Sequence, residues 1–127
     1  MDIIGHSMGV TLGRGVIKGG IIPGPDGTTF NLGAPMTDKV DTFIGIAGAN
    51  YGLVNCYLMP YIATCNEENG FYPGYAAGPM GLSKYLDYLN KSPVKEGAHA
   101  FAIFSTYDDL IGFGDVVYGK YTSEFPT

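Results

Sequence analysis

Positive charge is scarce in this sequence of 127 residues: seven Lys and Arg stand against twelve Asp and Glu, a formal net charge of −5. The basic residues are scattered apart from two spaced pairs, Arg14 with Lys18 and Lys91 with Lys95. A nucleic-acid binder needs a concentrated basic footprint, so that class is excluded. Long apolar runs are missing too. The longest, such as Ala100–Phe104, have strand length and fall far short of the roughly 18 residues of a membrane-spanning helix. No nucleotide-binding glycine loop is present, neither Gly-Lys-Ser/Thr nor Gly-x-Gly-x-x-Gly. Cys56 and Cys65 have no histidine near them and make a poor metal site, so neither metal nor cofactor is expected. Met1 leads at once into Asp2 and a strand pattern, without the charged and apolar regions of a signal peptide. That absence reads as missing sequence.

What is present is material for a core. Apolar residues make up 46% and charged residues 15%, so burial can outweigh ordering entropy, and the length suits one domain. Twenty glycines and eight prolines imply many turns and close backbone approaches. The two cysteines lie inside a Tyr/Pro/Gly-rich stretch, and their spacing leaves a local disulfide and two reduced thiols both open. A bridge over so short a loop would add on the order of 2–3 kcal/mol through loop-closure entropy.

Along the chain, Asp2–Gly5 reads as the end of a short buried strand. Met8–Lys18 reads as a helix stopped by Gly19-Gly20, with Gly9, Leu12, Gly13 and Val16 on its packed face. Gly9, Gly13 and Gly15 cost that helix about 1 kcal/mol each relative to alanine, which suggests close packing against a sheet or a site. Residues 21–38 read as an excursion of turns. Val40–Ala47 reads as a strand buried at its far end, and residues 48–80 as a long aromatic irregular segment. Leu82–Leu89 has a helical face at 82, 85, 86 and 89; His99–Ser105 is a third strand, and Val116–Tyr118 a short fourth. Strands alternating with helices predict an α/β fold with a mostly parallel sheet and helices on both faces. Functional groups in such sheets gather at the carboxyl ends of the strands.

One motif falls at such an end. Gly5-His6-Ser7-Met8-Gly9 is a Gly-x-Ser-x-Gly pentapeptide between a strand and a helix. A nucleophilic serine there sits on a sharp, strained turn, where bulky residues at the flanking positions Gly5 and Gly9 would collide. The helix N-terminus favours a developing oxyanion, and the amide of Met8 is the expected donor. A triad also needs an acid beyond a later strand end. Asp108 is the first choice, Asp109 the second and Asp115 a distant third. The base is harder to place. His6 is directed away from the hydroxyl by its place in the elbow, and a structural role fits it. His99 opens the third strand at the far end of the sheet and reads as a half-buried packing residue. The catalytic histidine then lies beyond Thr127, or the chain does not catalyse.

Four segments together resemble the class 2 triacylglycerol lipases, small secreted bacterial enzymes of the α/β-hydrolase fold and their longer nematode relatives. They are Ile3–Val10, Gly45–Asn50, Cys65–Gly74 and Phe104–Gly112. The resemblance covers nearly the whole chain. It implies Ser7 as nucleophile and Asp108 as acid, a histidine later in the chain, and a second oxyanion donor upstream of Met1. Residues 1–127 would then be a partial hydrolase domain lacking its N-terminal strands and its histidine segment, with the first strand left as an exposed apolar edge. The resemblance also implies a secreted protein with Cys56 and Cys65 bridged. The implied activity is hydrolysis of carboxylic esters of lipids, with a lipid ester as partner. Tyr51, Leu53, Tyr57, Leu58, Tyr61, Phe71, Tyr72 and Tyr75 would form either an acyl-chain wall or a loop folded on its own aromatics. Two rivals stand beside this: an acyltransferase or thioesterase with the same elbow, and a catalytically inactive, lipid-binding or degenerate fragment.

Overall fold

The computed structural model describes residues 1–74, 81–108, 116–117 and 119–126. In chain order the elements are β1 (Asp2–His6), α1 (Met8–Lys18), β2 (Ile21–Pro23), β3 (Thr29–Asn31), β4 (Thr42–Ile46), α2 (Lys84–Lys91), β5 (His99–Ile103), β6 (Val116–Val117) and β7 (Lys120–Tyr121). β1, β4 and β5 form a parallel three-stranded sheet in that order. Its register aligns Gly5 with Gly45 and Ala102, and His6 with Ile46 and Ile103.

The order explains where the helices sit. Each crossover advances one strand in the same direction, and right-handed crossovers then place successive helices on the same side. α1 and α2 indeed pack together: the Tyr85 hydroxyl donates to the Thr11 carbonyl at 2.7 Å and that of Tyr88 to the Gly19 carbonyl. The expected helices on both faces are therefore corrected. Among the described residues only one face is covered. Strand alternation puts Ile3, Gly5, Phe43 and Gly45 on the covered face. Ile4, Phe101 and Ile103 fall on the other and stay 66%, 55% and 52% exposed.

The core is Val10, Ile17, Val40 and Phe43, with Ile3 and Phe125 packed against it. Fully burying each such side chain is worth about 1.5–3 kcal/mol. Val10 sits in a notch made by two glycines: a Cβ on Gly45 or Gly48 would come within 2.9 or 2.8 Å of its Cγ1. Gly13 lies over the Phe43 ring, 3.1 Å from where its Cβ would be, so the helix glycines do mark close packing. The buried face of α1 differs from the expected one, however. Leu12 and Val16 are exposed, while Val10, Thr11, Arg14, Gly15, Ile17 and Lys18 are buried. Apolar periodicity misassigns the face because the interior holds two cations, compensated by Glu96.

The stretch read as turns contains a hairpin, β2 paired antiparallel with β3 around Pro23–Thr28. α2 begins after Ser83, whose hydroxyl accepts from the Leu86 amide at 3.3 Å and donates to the Gly70 carbonyl at 2.7 Å. This cap sets the start of the helix two residues later than periodicity suggests. Tyr85, Leu86 and Leu89 face inward as expected. β4 is buried in alternation along its length, not at its far end alone. β5 stops at Ile103, short of Ser105, and β6 pairs with β7 in a separate ribbon. Tyr118 lies outside the described residues. No described helix is long and apolar enough to cross a membrane.

Candidate active site

The elbow is where β1 meets α1. Ser7 has φ 53° and ψ −124°, one of two non-glycine residues with positive φ among those described. Such a conformation costs on the order of 1–3 kcal/mol and persists only where its surroundings hold it. Here they do. The Ser7 amide donates to the Ile46 carbonyl at 2.8 Å, and its own carbonyl accepts from the Val10 amide at 3.0 Å. The second such residue, Ala47 at φ 50°, ends the next strand, and its amide donates to the Ile103 carbonyl at 2.8 Å. Adjacent strand ends are thus bent and pinned to each other.

A serine at a helix N-cap ordinarily caps the helix with its side chain. Ser7 does not, because its backbone swings the hydroxyl out of reach of the first-turn amides. The hydroxyl is half-buried and bonded to no described residue. The Met8 amide also donates to no described residue, so the positive end of α1 is open beside it. Gly5 is required by space: a Cβ there would stand 2.9 Å from the Gly9 carbonyl oxygen. Gly9 is different. A Cβ on it would meet nothing within 4 Å, so the expected collision holds at one flank only, where β1 lies beneath α1.

Asp108 is half-buried, five residues beyond the end of β5. Its amide donates to the Ser105 carbonyl at 3.2 Å, and the Tyr107 amide to the Ser105 hydroxyl at 3.1 Å, which closes a local turn. Ser7 and Asp108 therefore leave the same carboxyl edge from strands two spacings apart, ~9–10 Å at the sheet. Asp109 and Asp115 lie outside the described residues. The histidines do not join them. His6 is exposed, and alternation turns it to the bare face with Ile4. His99 pairs with Thr42 at the opposite edge, about 13 Å down β5 from Ile103. His99 is exposed, not half-buried, because β5 has no further neighbour among the described residues.

Behind the elbow lies a charged core. Arg14 is fully buried, with Nε donating to Glu96 at 2.8 Å and Nη1 to Asn50 Oδ1 at 2.9 Å and Asn90 Oδ1 at 3.1 Å. Its Nη2 donates to the Leu89 carbonyl at 3.3 Å, and the guanidinium lies 5.5 Å from the Phe125 ring centroid. Lys18 adds a second cation 3.2 Å from the same Glu96 oxygen. Burial works to raise the Glu96 carboxyl, but Arg14 and then Lys18 overcome it and hold the group below its usual range. Burial, joined by the like charge of Arg14, brings Lys18 below its ordinary value despite Glu96. Burial pushes the Tyr85 phenol up to about 12, against the pull of Arg14. Asn50 carries the network on: its Nδ2 donates to the Ser123 and Glu124 carbonyls, both at 3.2 Å. Sequence reasoning missed this cluster. The signal was an arginine in the middle of a glycine-rich helix, four residues before a lysine.

The aromatic segment after β4 divides rather than forming one wall. Tyr51 and Tyr72 are buried, whereas Tyr57, Leu58, Tyr61 and Ile62 are exposed; Tyr75 lies outside the described residues. Cys56 and Cys65 are joined in a disulfide with Cα atoms 4.9 Å apart. No group of three or more potential metal ligands occurs among the described residues.

Comparison with curated proteins and with solved structures finds no significant match. Comparison with protein-family models matches Lipase (class 2) over residues 1–127, the length of the chain. Joined to a strained serine at a strand–helix junction and an α/β architecture, the match completes the assignment: this chain belongs to the class 2 lipase family.

Proposed function

We propose that the chain carries the nucleophile and acid of a serine hydrolase that cleaves carboxylic esters of lipids. The observation that carries this reading is the backbone of Ser7, whose strained turn leaves a hydroxyl uncommitted at a helix N-terminus. Ser7 Oγ attacks the acyl carbon while its proton passes to a histidine base. The Met8 amide donates to the oxyanion, and Asp108 orients the base and stabilises its imidazolium. Collapse expels the alcohol, protonated by the same histidine; water then releases the acid and restores the hydroxyl. Neither His6 nor His99 is placed to serve, so the base is proposed to come from sequence beyond residue 127, as the order serine, acid, histidine requires. The elbow does not itself separate an ester from a thioester. Secretion follows from family membership as a proposal of the same rank.

The test is hydrolysis of p-nitrophenyl esters by the full-length protein and by residues 1–127 alone. The full-length protein should turn over, Ser7→Ala and Asp108→Asn should lower kcat by about a thousandfold or more, and residues 1–127 should be nearly inert. Undiminished turnover in Ser7→Ala contradicts the reading, and preference for acyl thioesters over esters moves it to a thioesterase.

A further inference from the structure

The segment Cys56-Tyr-Leu-Met-Pro-Tyr-Ile-Ala-Thr-Cys65 contains no ionisable side chain other than its tyrosines and bridged cysteines. It is built inside out. The disulfide is buried, while Leu58 and Tyr61 are 76% and 82% exposed, with Tyr57 and Ile62 beside them. Clustered apolar exposure of this kind marks an interaction surface rather than ordinary scatter.

We propose that this disulfide-closed loop anchors the protein in an uncharged lipid–water interface, a reading that rests on the proposed lipid esterase activity. Four features select that occupant. First, part of the loop's backbone is bonded locally: amides of Cys56, Met59, Ile62 and Cys65 donate to carbonyls of Leu53, Cys56, Met59 and Ile62 at 2.8–3.1 Å. Peptide groups bonded within the loop can enter an apolar medium without the penalty of unmet polar groups. Second, the disulfide and these turns hold the loop in shape beforehand, so insertion costs little ordering entropy. Third, tyrosine suits the boundary, with an apolar ring and a polar tip. Fourth, charge discriminates. A loop without Lys or Arg, on a chain of net charge −5, has no attraction for an anionic membrane and no ion pairs with which to orient a protein partner. Placement agrees with these. The chain leaves β4 toward this segment at the carboxyl edge of the sheet, the edge at which Ser7 also stands. An anchor there would hold the candidate site against its substrate phase.

Residues 1–127 hold no tryptophan, and an introduced indole is read as the difference from the same protein without it. The test uses full-length protein with Ser7→Ala, to prevent turnover, and phosphatidylcholine vesicles loaded with triacylglycerol. In Leu58→Trp the emission should shift to the blue on adding vesicles and be quenched by brominated acyl chains. In Phe30→Trp, on the β2–β3 hairpin that follows the far end of α1, it should do neither. Replacing Leu58 and Tyr61 together by serine should lower vesicle partitioning about tenfold or more, with little dependence on salt. An unresponsive Leu58→Trp, equal responses from both reporters, or unchanged partitioning overturns the anchor. So does a Leu58→Trp shift that follows protein concentration without lipid, which would reveal a second copy as occupant. Failure here leaves hydrolysis of a soluble ester intact, whereas failure of the esterase reading abolishes that hydrolysis and leaves partitioning to be read independently.

Discussion

The two faces of the parallel sheet obey opposite rules. On the covered face the strands offer Ile3, Phe43 and two glycines, yet the layer above them buries an arginine and a lysine. On the bare face the strands offer isoleucines and a phenylalanine, and three of these are more than half exposed. Side-chain hydropathy therefore does not decide burial here. Crossover handedness decides which face receives helices, and on that face a charge is tolerated where it can be fully compensated. Arg14 meets that condition, with four hydrogen bonds reaching Glu96, Asn50, Asn90 and Leu89.

The contrast is broken most severely at Arg14. Arg14→Met should destabilise by roughly 3–5 kcal/mol in denaturant titration, because it leaves Glu96 with Lys18 alone and takes the donor from the Asn50 and Asn90 side-chain oxygens. A loss under about 1 kcal/mol would mean that packing, not charge compensation, holds the covered face. Next is Tyr85, whose hydroxyl ties α2 to α1. Tyr85→Phe should cost about 1 kcal/mol near neutral pH. Its alkaline signature is sharper. A phenol raised to about 12 in the fold contributes stability fully present below its unfolded pKa, near 10, and lost as pH rises through 12. That loss is on the order of 2–3 kcal/mol and should vanish in Tyr85→Phe. Lys18 works in the opposite sense: its lowered pKa makes its cost fade as pH climbs toward the ordinary lysine value. Smallest is the bare face, where Ile4→Thr should change stability by no more than about 0.5 kcal/mol while reducing aggregation in light scattering. A large loss there would show that the face is covered in solution.

Much of the layout was legible because local signals were strong. Gly19 and Gly20 stop α1, and both carry the positive φ that a helix end favours. Ser7 could be singled out because a serine between glycines at a strand–helix junction has few other uses. The buried face of α1 was not legible, since Arg14 is buried only through Glu96, 82 positions away. The β2–β3 hairpin escaped because strands of three residues carry too short an alternation to register against Pro23-Gly24-Pro25. Beyond the strand read over Val40–Ala47, Gly48-Ala49-Asn50 stood out by likeness alone; the structure supplies its reason, a glycine under Val10 and an asparagine bound by Arg14.

The central claim is that the strained turn at residue 7 presents a nucleophile, and covalent capture tests it most directly. Protein treated with a fluorophosphonate and digested for mass spectrometry should yield one adduct, on the peptide bearing Ser7, and none in Ser7→Ala. An adduct on any other serine, or ester hydrolysis that proceeds while Ser7 remains unmodified, would contradict it.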